Sequence, residues 1–158
     1  MKKIICVLLT LFALLCTTAC SEPITDAKTY TFRSGSVSVA IDSEAAGILA
    51  ALGEWNNYSE SPSCAFNGLD KIYAYAGFRI QTYPLNGKDY IYSVELTDDS
   101  VTTSEGIAVG STVEQVKTAY GTPTDETATL LLYKGEGVNL QFILRDGKVT
   151  NIQYLRVE

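Results

Sequence analysis

Two stretches of the chain carry the same order of apolar and polar positions. In GIAVGSTVEQVKTAYGTPTD, Gly106 to Asp125, the residues Val113, Val116 and Tyr120 recur at spacings of three and four, which puts them on one helical face. Ser111-x-x-Glu114 ahead of them has the form of a capping box, in which the serine accepts the backbone N–H of the glutamate and the glutamate reaches back. Gly121 suits the left-handed position after the last turn, and Pro123 blocks continuation. Each glycine has a conformational task, and the GxxxxGK-Ser/Thr spacing of a phosphate loop is absent. A gapless shift of 68 lays Ile41–Gly53 over Val109–Gly121, matching Ser43 to Ser111, Ile48 to Val116, Leu52 to Tyr120 and Gly53 to Gly121.

Each helix is followed by strand-like text. KIYAYAGFRIQTY (Lys71 to Tyr83) leads through Asn86-Gly87 into YIYSVEL, and TLLLYKGEGVNLQFIL (Thr129 to Leu144) leads through Asp146-Gly147 into VTNIQYLRV. Asn-Gly and Asp-Gly between β-rich runs are hairpin signals. In Val138 to Leu144 the apolar Val138, Leu140, Phe142 and Leu144 share one parity. The first half has ten more residues between helix and strands, and the turn-forming NNYSESPSCAFNG reads as a loop. One short helix cannot cover a sheet alone, so the halves must share a core. The expected class is α+β: two tandem repeats of a helix and then an antiparallel meander of about three strands, sharing one open sheet with the helices on one face. The expected boundaries are 1–19 for a signal peptide, 20–36 for a lipidated N-terminus and flexible tether, 37–101 for the first repeat and 102–158 for the second.

The N-terminal MKKIICVLLTLFALLCTTAC has a basic start and an apolar run of about a dozen residues. A stable membrane span needs roughly 20. Ala19-Cys20 resembles the lipobox of bacterial lipoproteins, with Thr17 where that family usually has leucine. The resemblance implies a diacylglycerol on Cys20, palmitate-type acyl chains, and a membrane-anchored, outward-facing domain. Thr17-x-Ala19 also fits ordinary signal-peptidase cleavage. The polar run from Ser21 favours the anchored form, because such runs tether domains and a two-chain anchor holds where one chain does not.

A capped helix ending in Tyr-Gly-x-Pro and a meander finishing in Asp-Gly-Lys-Val resemble the repeat of the SmpA/OmlA (BamE-like) lipoproteins. Two such repeats are similar to the layout of β-lactamase inhibitor protein (BLIP), and SPSCAFNGLDKIYAYAGF is similar to text in lipoproteins of Gram-positive bacteria. The resemblance implies an open sandwich whose bare sheet face serves for protein binding. The inhibitor's characteristic disulfides have no counterpart here, which places an inhibitor-like secreted protein third among the readings.

Composition narrows the chemistry. The chain has no histidine, which removes Ser-His-Asp and Cys-His arrangements and the commonest transition-metal ligand. Loss of Lys2 and Lys3 with the leader takes the formal charge from −6 to −8, unfavourable for nucleic acid. Once Cys6 and Cys16 leave with the leader and Cys20 is acylated, Cys64 is the one free cysteine, read as a buried small apolar residue. No cofactor, metal or catalytic residue is expected. Glu95, Asp98, Asp99 and Glu105 crowd one segment, so a calcium or small-molecule surface receptor is the alternative function.

Aromatic residues concentrate in the first half. Read as one strand, Lys71 to Tyr83 places Tyr73, Tyr75, Arg79, Gln81 and Tyr83 on one parity, and Ile72, Ala74, Ala76, Phe78 and Ile80 on the other. The first set is the candidate binding face, since Tyr and Arg suit partner interfaces. The expected function is a non-enzymatic module that binds a protein or peptide at the cell surface through that open face.

Overall fold

The computed structural model describes residues 28–157. The leader and Cys20 lie outside the described residues. A two-stranded hairpin opens the fold, β1 (Phe32–Ser34) with β2 (Val37–Val39), followed by helix α1 (Ala45–Leu52). Four strands follow: β3 (Asn57–Pro62), β4 (Leu69–Ala74), β5 (Phe78–Leu85) and β6 (Lys88–Leu96). Helix α2 (Val113–Tyr120) leads into β7 (Asp125–Thr127), β8 (Leu130–Lys134), β9 (Val138–Arg145) and β10 (Lys148–Arg156). Strands β3 to β10 form one antiparallel sheet in the order β3-β4-β5-β6-β10-β9-β8-β7. The last strand of each half therefore lies at the centre, with Ile152 opposite Leu96 and Tyr154 opposite Val94.

This corrects the expected class. The described residues are 48% strand and 12% helix, so the fold is predominantly antiparallel β and not the BLIP/BamE-like α+β arrangement. The helices stop at eight residues each, where Gly53 and Gly121 both turn to a positive φ near 81°. Strand forms where loop or tether was expected. Asn57–Pro62 pairs along its whole length with β4, a neighbour outweighing weak intrinsic propensity. Within the described part of the span expected as a tether, 28–36, Tyr30 and Phe32 are buried, because the alternation Tyr30-Thr31-Phe32 sends both rings inward.

Local signals were mixed in their accuracy. Both two-residue turns form with positive φ throughout, at Asn86-Gly87 and Asp146-Gly147. The capping box of α2 is one residue later than expected: Gln115 N donates to Thr112 Oγ1 at 3.2 Å, and Thr112 N donates to Gln115 Oε1 at 2.8 Å. Ser111 Oγ instead accepts the amide of Ala108. Two glycines, Gly77 and Gly135, permit close crossings of chain. A Cβ at Gly77 would sit 2.2 Å from Ser100 Oγ, and one at Gly135 2.3 Å from the carbonyl of Lys28.

The core lies between one face of the sheet, the two helices and the N-terminal hairpin. Phe32 is wholly buried, its ring 4.9 Å from that of Phe78 and 6.2 Å from that of Tyr154, so it seals the join between the halves. Tyr120 packs on Tyr133 and Phe142 and donates its hydroxyl to Glu105. Burial pushes the Tyr120 and Tyr154 phenols above the ordinary tyrosine range, and burial first, then Tyr30 and Glu126, pushes Tyr133 to about 12. Among the described residues, no helix is long and apolar enough to cross a membrane.

Two outcomes test this packing. Phe32→Ala is expected to cost about 3–5 kcal/mol by denaturant titration, as for a large core ring, whereas a residue of a true tether would cost nothing. The buried phenols keep their protons above pH 10 while those of the unfolded chain release them. The unfolded state then binds fewer protons, and stability falls as pH rises past about 10. Melting temperature should decline above that pH, with tyrosinate absorbance from Tyr120 and Tyr154 developing only as the protein unfolds.

Candidate functional site

The expected binding face rested on reading Lys71 to Tyr83 as one strand. It is two, broken at Tyr75–Gly77, where the amide of Tyr75 bonds the carbonyl of Phe78. Parity does not carry through that turn. Tyr73 pairs with Ile80, a wholly buried residue, and so faces the helices. Tyr75 stacks on Phe78 at 4.9 Å and packs against the core. Ile72 and Ala74, expected on the helix side, pair with Gln81 and Arg79 on the open side.

Arg79 and Gln81 do lie on the open face, but neither is a free anchor. Arg79 is ion-paired with Glu95, which also accepts from Asn151 Nδ2 at 2.6 Å, a bridge across the central β6–β10 pair. Gln81 lies opposite Ser93 and lines a small cavity under the β3–β4 loop. Tyr83 is 4% exposed: Phe66 packs on its ring, Arg156 lies over it at 5.1 Å, and its hydroxyl donates to Asp42 Oδ1 at 2.6 Å. Burial and that carboxylate both raise its pKa. Arg156 Nε donates to the same Asp42 oxygen at 2.7 Å, fastening the last strand to the turn before α1. The five candidates are thus divided between the two sides of the sheet and the core.

Cys64 is exposed, not buried as expected; in its loop Phe66 turns onto Tyr83 and leaves Cys64 outside. The acidic segment does not converge either. Glu95 is held by Arg79 and Asn151, Asp98 accepts from the amide and hydroxyl of Ser100, and Glu105 takes the hydroxyl of Tyr120. No cluster of three acidic, histidine or cysteine residues is placed to hold a metal among the described residues.

What the structure does assemble is a cleft of about 920 Å³ on the helix side of the first half. Its floor is the apolar helix α1, which presents Ala46, Leu49 and Ala50 and packs on β2 and β6. Opposite stands Tyr73, 7% exposed, with the ring of Trp55 edge-on at 5.1 Å and that of Tyr58 at 5.1 Å. Trp55 and Tyr58 are the exposed members, at 45% and 38%. The third wall is the tip of the β5–β6 hairpin, held by two ion pairs. Lys88 reaches Glu44 at the start of α1 and Lys71 reaches Asp89, each at 2.7 Å. The Asp89 carboxylate raises the Lys71 pKa. Glu60 accepts the Tyr58 hydroxyl and so pushes that phenol up to about 12, leaving the ring neutral across the ordinary pH range.

The cleft exists because the halves differ. In the second hairpin Arg145 pairs with Lys148, and Lys148 bridges to Thr112 at the start of α2. In the first, the residue bridging to Glu44 is Tyr90, and the arms continue two pairs further to Leu85 and Lys88. That extension supplies Gly87, Lys88 and Asp89 to the wall. The single tryptophan of the chain was a signal present in the sequence, but no spacing rule placed it across from Tyr73. Chemically the cleft offers apolar area, the rings of Trp55 and Tyr73 with Tyr58 beside them, two ion pairs and the Glu54 carboxylate. Its lining includes no serine, threonine or cysteine nucleophile.

No protein-family model matches the sequence, and no curated protein matches it. Among solved structures the chain is similar to an extracellular protein containing a SCP domain from Bacillus anthracis str. Ames, at 13% identity and a TM-score of 0.44. The match spans 82% of this chain and 49% of that one, so the chain covers about half of that protein's length. At that score the likeness assigns neither fold nor function.

If Lys88 fixes the hairpin tip only through an exposed pair, its removal costs little stability. Lys88→Ala should change the unfolding free energy by less than about 1 kcal/mol while loosening the tip, read as faster amide exchange confined to 84–89.

Proposed function

We propose that the chain is a non-enzymatic, extracytoplasmic binding protein, anchored through a lipid on Cys20, that takes a partner protein or peptide into the cleft beside α1. One observation carries the reading: the Trp55–Tyr58–Tyr73 cluster beside the cleft of mixed apolar and charged lining, with the two outer rings open to solvent. Exposed tryptophan and tyrosine beside a preformed hollow match the composition of interface hot spots. The absence of histidine from the sequence and the pairing of Glu44 and Asp89 with lysines support binding over chemistry. The anchor rests on the leader and lipobox-like residues of the sequence.

A small-molecule receptor is the second reading, because the cleft volume lies within the ordinary range for ligand sites. The two separate on what is recovered. Affinity capture with the mature domain from its own cell-surface extract, followed by mass spectrometry, should return a protein partner. Trp55→Ala and Tyr58→Ala should each weaken that partner's binding by about 2 kcal/mol or more, while Gln141→Ala and Gln153→Ala on the open face leave it unchanged. Equal binding by all four variants would place the site elsewhere. Intact-mass analysis of the processed N-terminus should show a diacylglyceryl-modified Cys20, and an unmodified residue there would remove the anchor.

A further inference from the structure

The sheet has two outer strands, and they are built differently. Strand β7 has three residues, two of them acidic, and Glu126 is tied to Lys117 of α2 at 2.7 Å. Strand β3 has six, pairs with β4 in unbroken register without a bulge, and is exposed at every position. No strand pairs with its other side among the described residues. Natural sheets blunt such an edge with short strands, bulges, proline or charge. Here those devices are Pro62 at one end and Glu60 within. The Tyr58 amide donates to Asn57 Oδ1 at 2.8 Å, so the outward groups left for pairing are the Glu60 amide and the carbonyls of Tyr58, Glu60 and Pro62.

The edge adjoins the aromatic cluster. Tyr58 pairs with Tyr73 and Glu60 with Lys71, so both point to the helix side, where Trp55 stands 6.0 Å from Tyr58. The charge there is unbalanced. Lys88 and Lys71 are each taken by Glu44 and Asp89, and neither Glu54 nor Glu60 has an ion-pair partner among the described residues. An aromatic face flanked by two carboxylates without a cationic partner, Glu60 holding only the Tyr58 hydroxyl, attracts a cation whose stem can lie along apolar rings.

We propose that β3 is a strand-addition edge: an extended, basic segment of a partner protein pairs along Asn57–Pro62 as a ninth strand and lays a lysine or arginine side chain over Trp55 and Tyr58, near Glu54 and Glu60. Main-chain pairing supplies affinity in this mode, and pockets for alternate side chains supply selectivity. Glu60 then selects as well as protects. It repels an acidic strand, and it repels a second copy of this chain, whose same-face pairing about the strand centre sets glutamate near glutamate on molecules already net negative. The inference rests on the cleft reading for its aromatic platform and adds the partner's chemistry and its mode of docking.

The test uses the lipid-free mature domain and two synthetic decapeptides, one alternating threonine with lysine and the other threonine with glutamate. The basic peptide should bind, slow amide exchange within 57–62, and weaken by at least about tenfold in Glu60→Lys and on raising salt, which screens charge pairs. The acidic peptide should not bind. Equal binding by both peptides, or binding without slowed exchange in 57–62, overturns strand addition. Slowed exchange in 57–62 of the domain alone, with a dimer in sedimentation, also overturns it, since a second copy then fills the edge. Trp55→Ala separates the two readings. If it abolishes peptide binding that leaves β3 exchange unchanged, the cleft stands and strand addition falls. If it changes nothing while β3 is protected, the aromatic platform falls and the edge remains the docking element.

Discussion

Two eight-residue helices have to cover one face of an eight-stranded sheet, and they are too small to do so. Each helix is about 12 Å long, whereas eight strands at about 4.8 Å spacing span about 34 Å. The centre is covered because the β1–β2 hairpin lays Phe32 between Phe78 and Tyr154. The second half is covered because its outer strands are short and Tyr120 of α2 closes over Tyr133 and Phe142. Among the described residues, the first half keeps longer outer strands without further cover, and its helix packs on β2 and β6.

Function is read from that shortfall. Where the helix side of β3 and β4 is left open, the sequence places tyrosine and tryptophan, side chains that tolerate half-exposure because each joins a large apolar body to a polar atom. The longer β5–β6 hairpin walls the space, and its lysine and aspartate tie it to α1 and β4. On the open face of the sheet, by contrast, Arg79 and Glu95 are spent on each other. The row Asn57, Ala74, Arg79, Glu95, Gln153, Gln141, Leu132 and Asp125 crosses all eight strands, and its central ion pair also bonds Asn151.

How much of this was legible in the sequence depended on the range over which each signal acts. Turn dipeptides and the glycines that end the helices act within four residues, and Asn86-Gly87, Asp146-Gly147, Gly53 and Gly121 took the roles their chemistry dictates. Alternation in Val138 to Leu144 was equally clear, since no turn interrupts it. Alternation in Lys71 to Tyr83 misled because Tyr75–Gly77 turns the chain, which reverses the side on which Tyr73 and Tyr75 lie. The strand at Asn57–Pro62 was hidden because its residues favour turns, and only its partner β4 holds it extended. The N-terminal Tyr30 and Phe32 were hidden by the polar residues around them, though their spacing of two is that of a strand with one buried side. The cleft brings together residues from α1, β4 and a hairpin tip, a contact that no local pattern encodes.

Among the described residues, the helix side of the first half is uncovered and ends in an open aromatic cluster. Trp55 is the chain's one tryptophan, so its emission reports on that place alone. Emission from the free mature domain should lie close to that of tryptophan in water and be readily quenched by acrylamide. A blue-shifted emission inaccessible to acrylamide would show Trp55 enclosed, and would contradict the account.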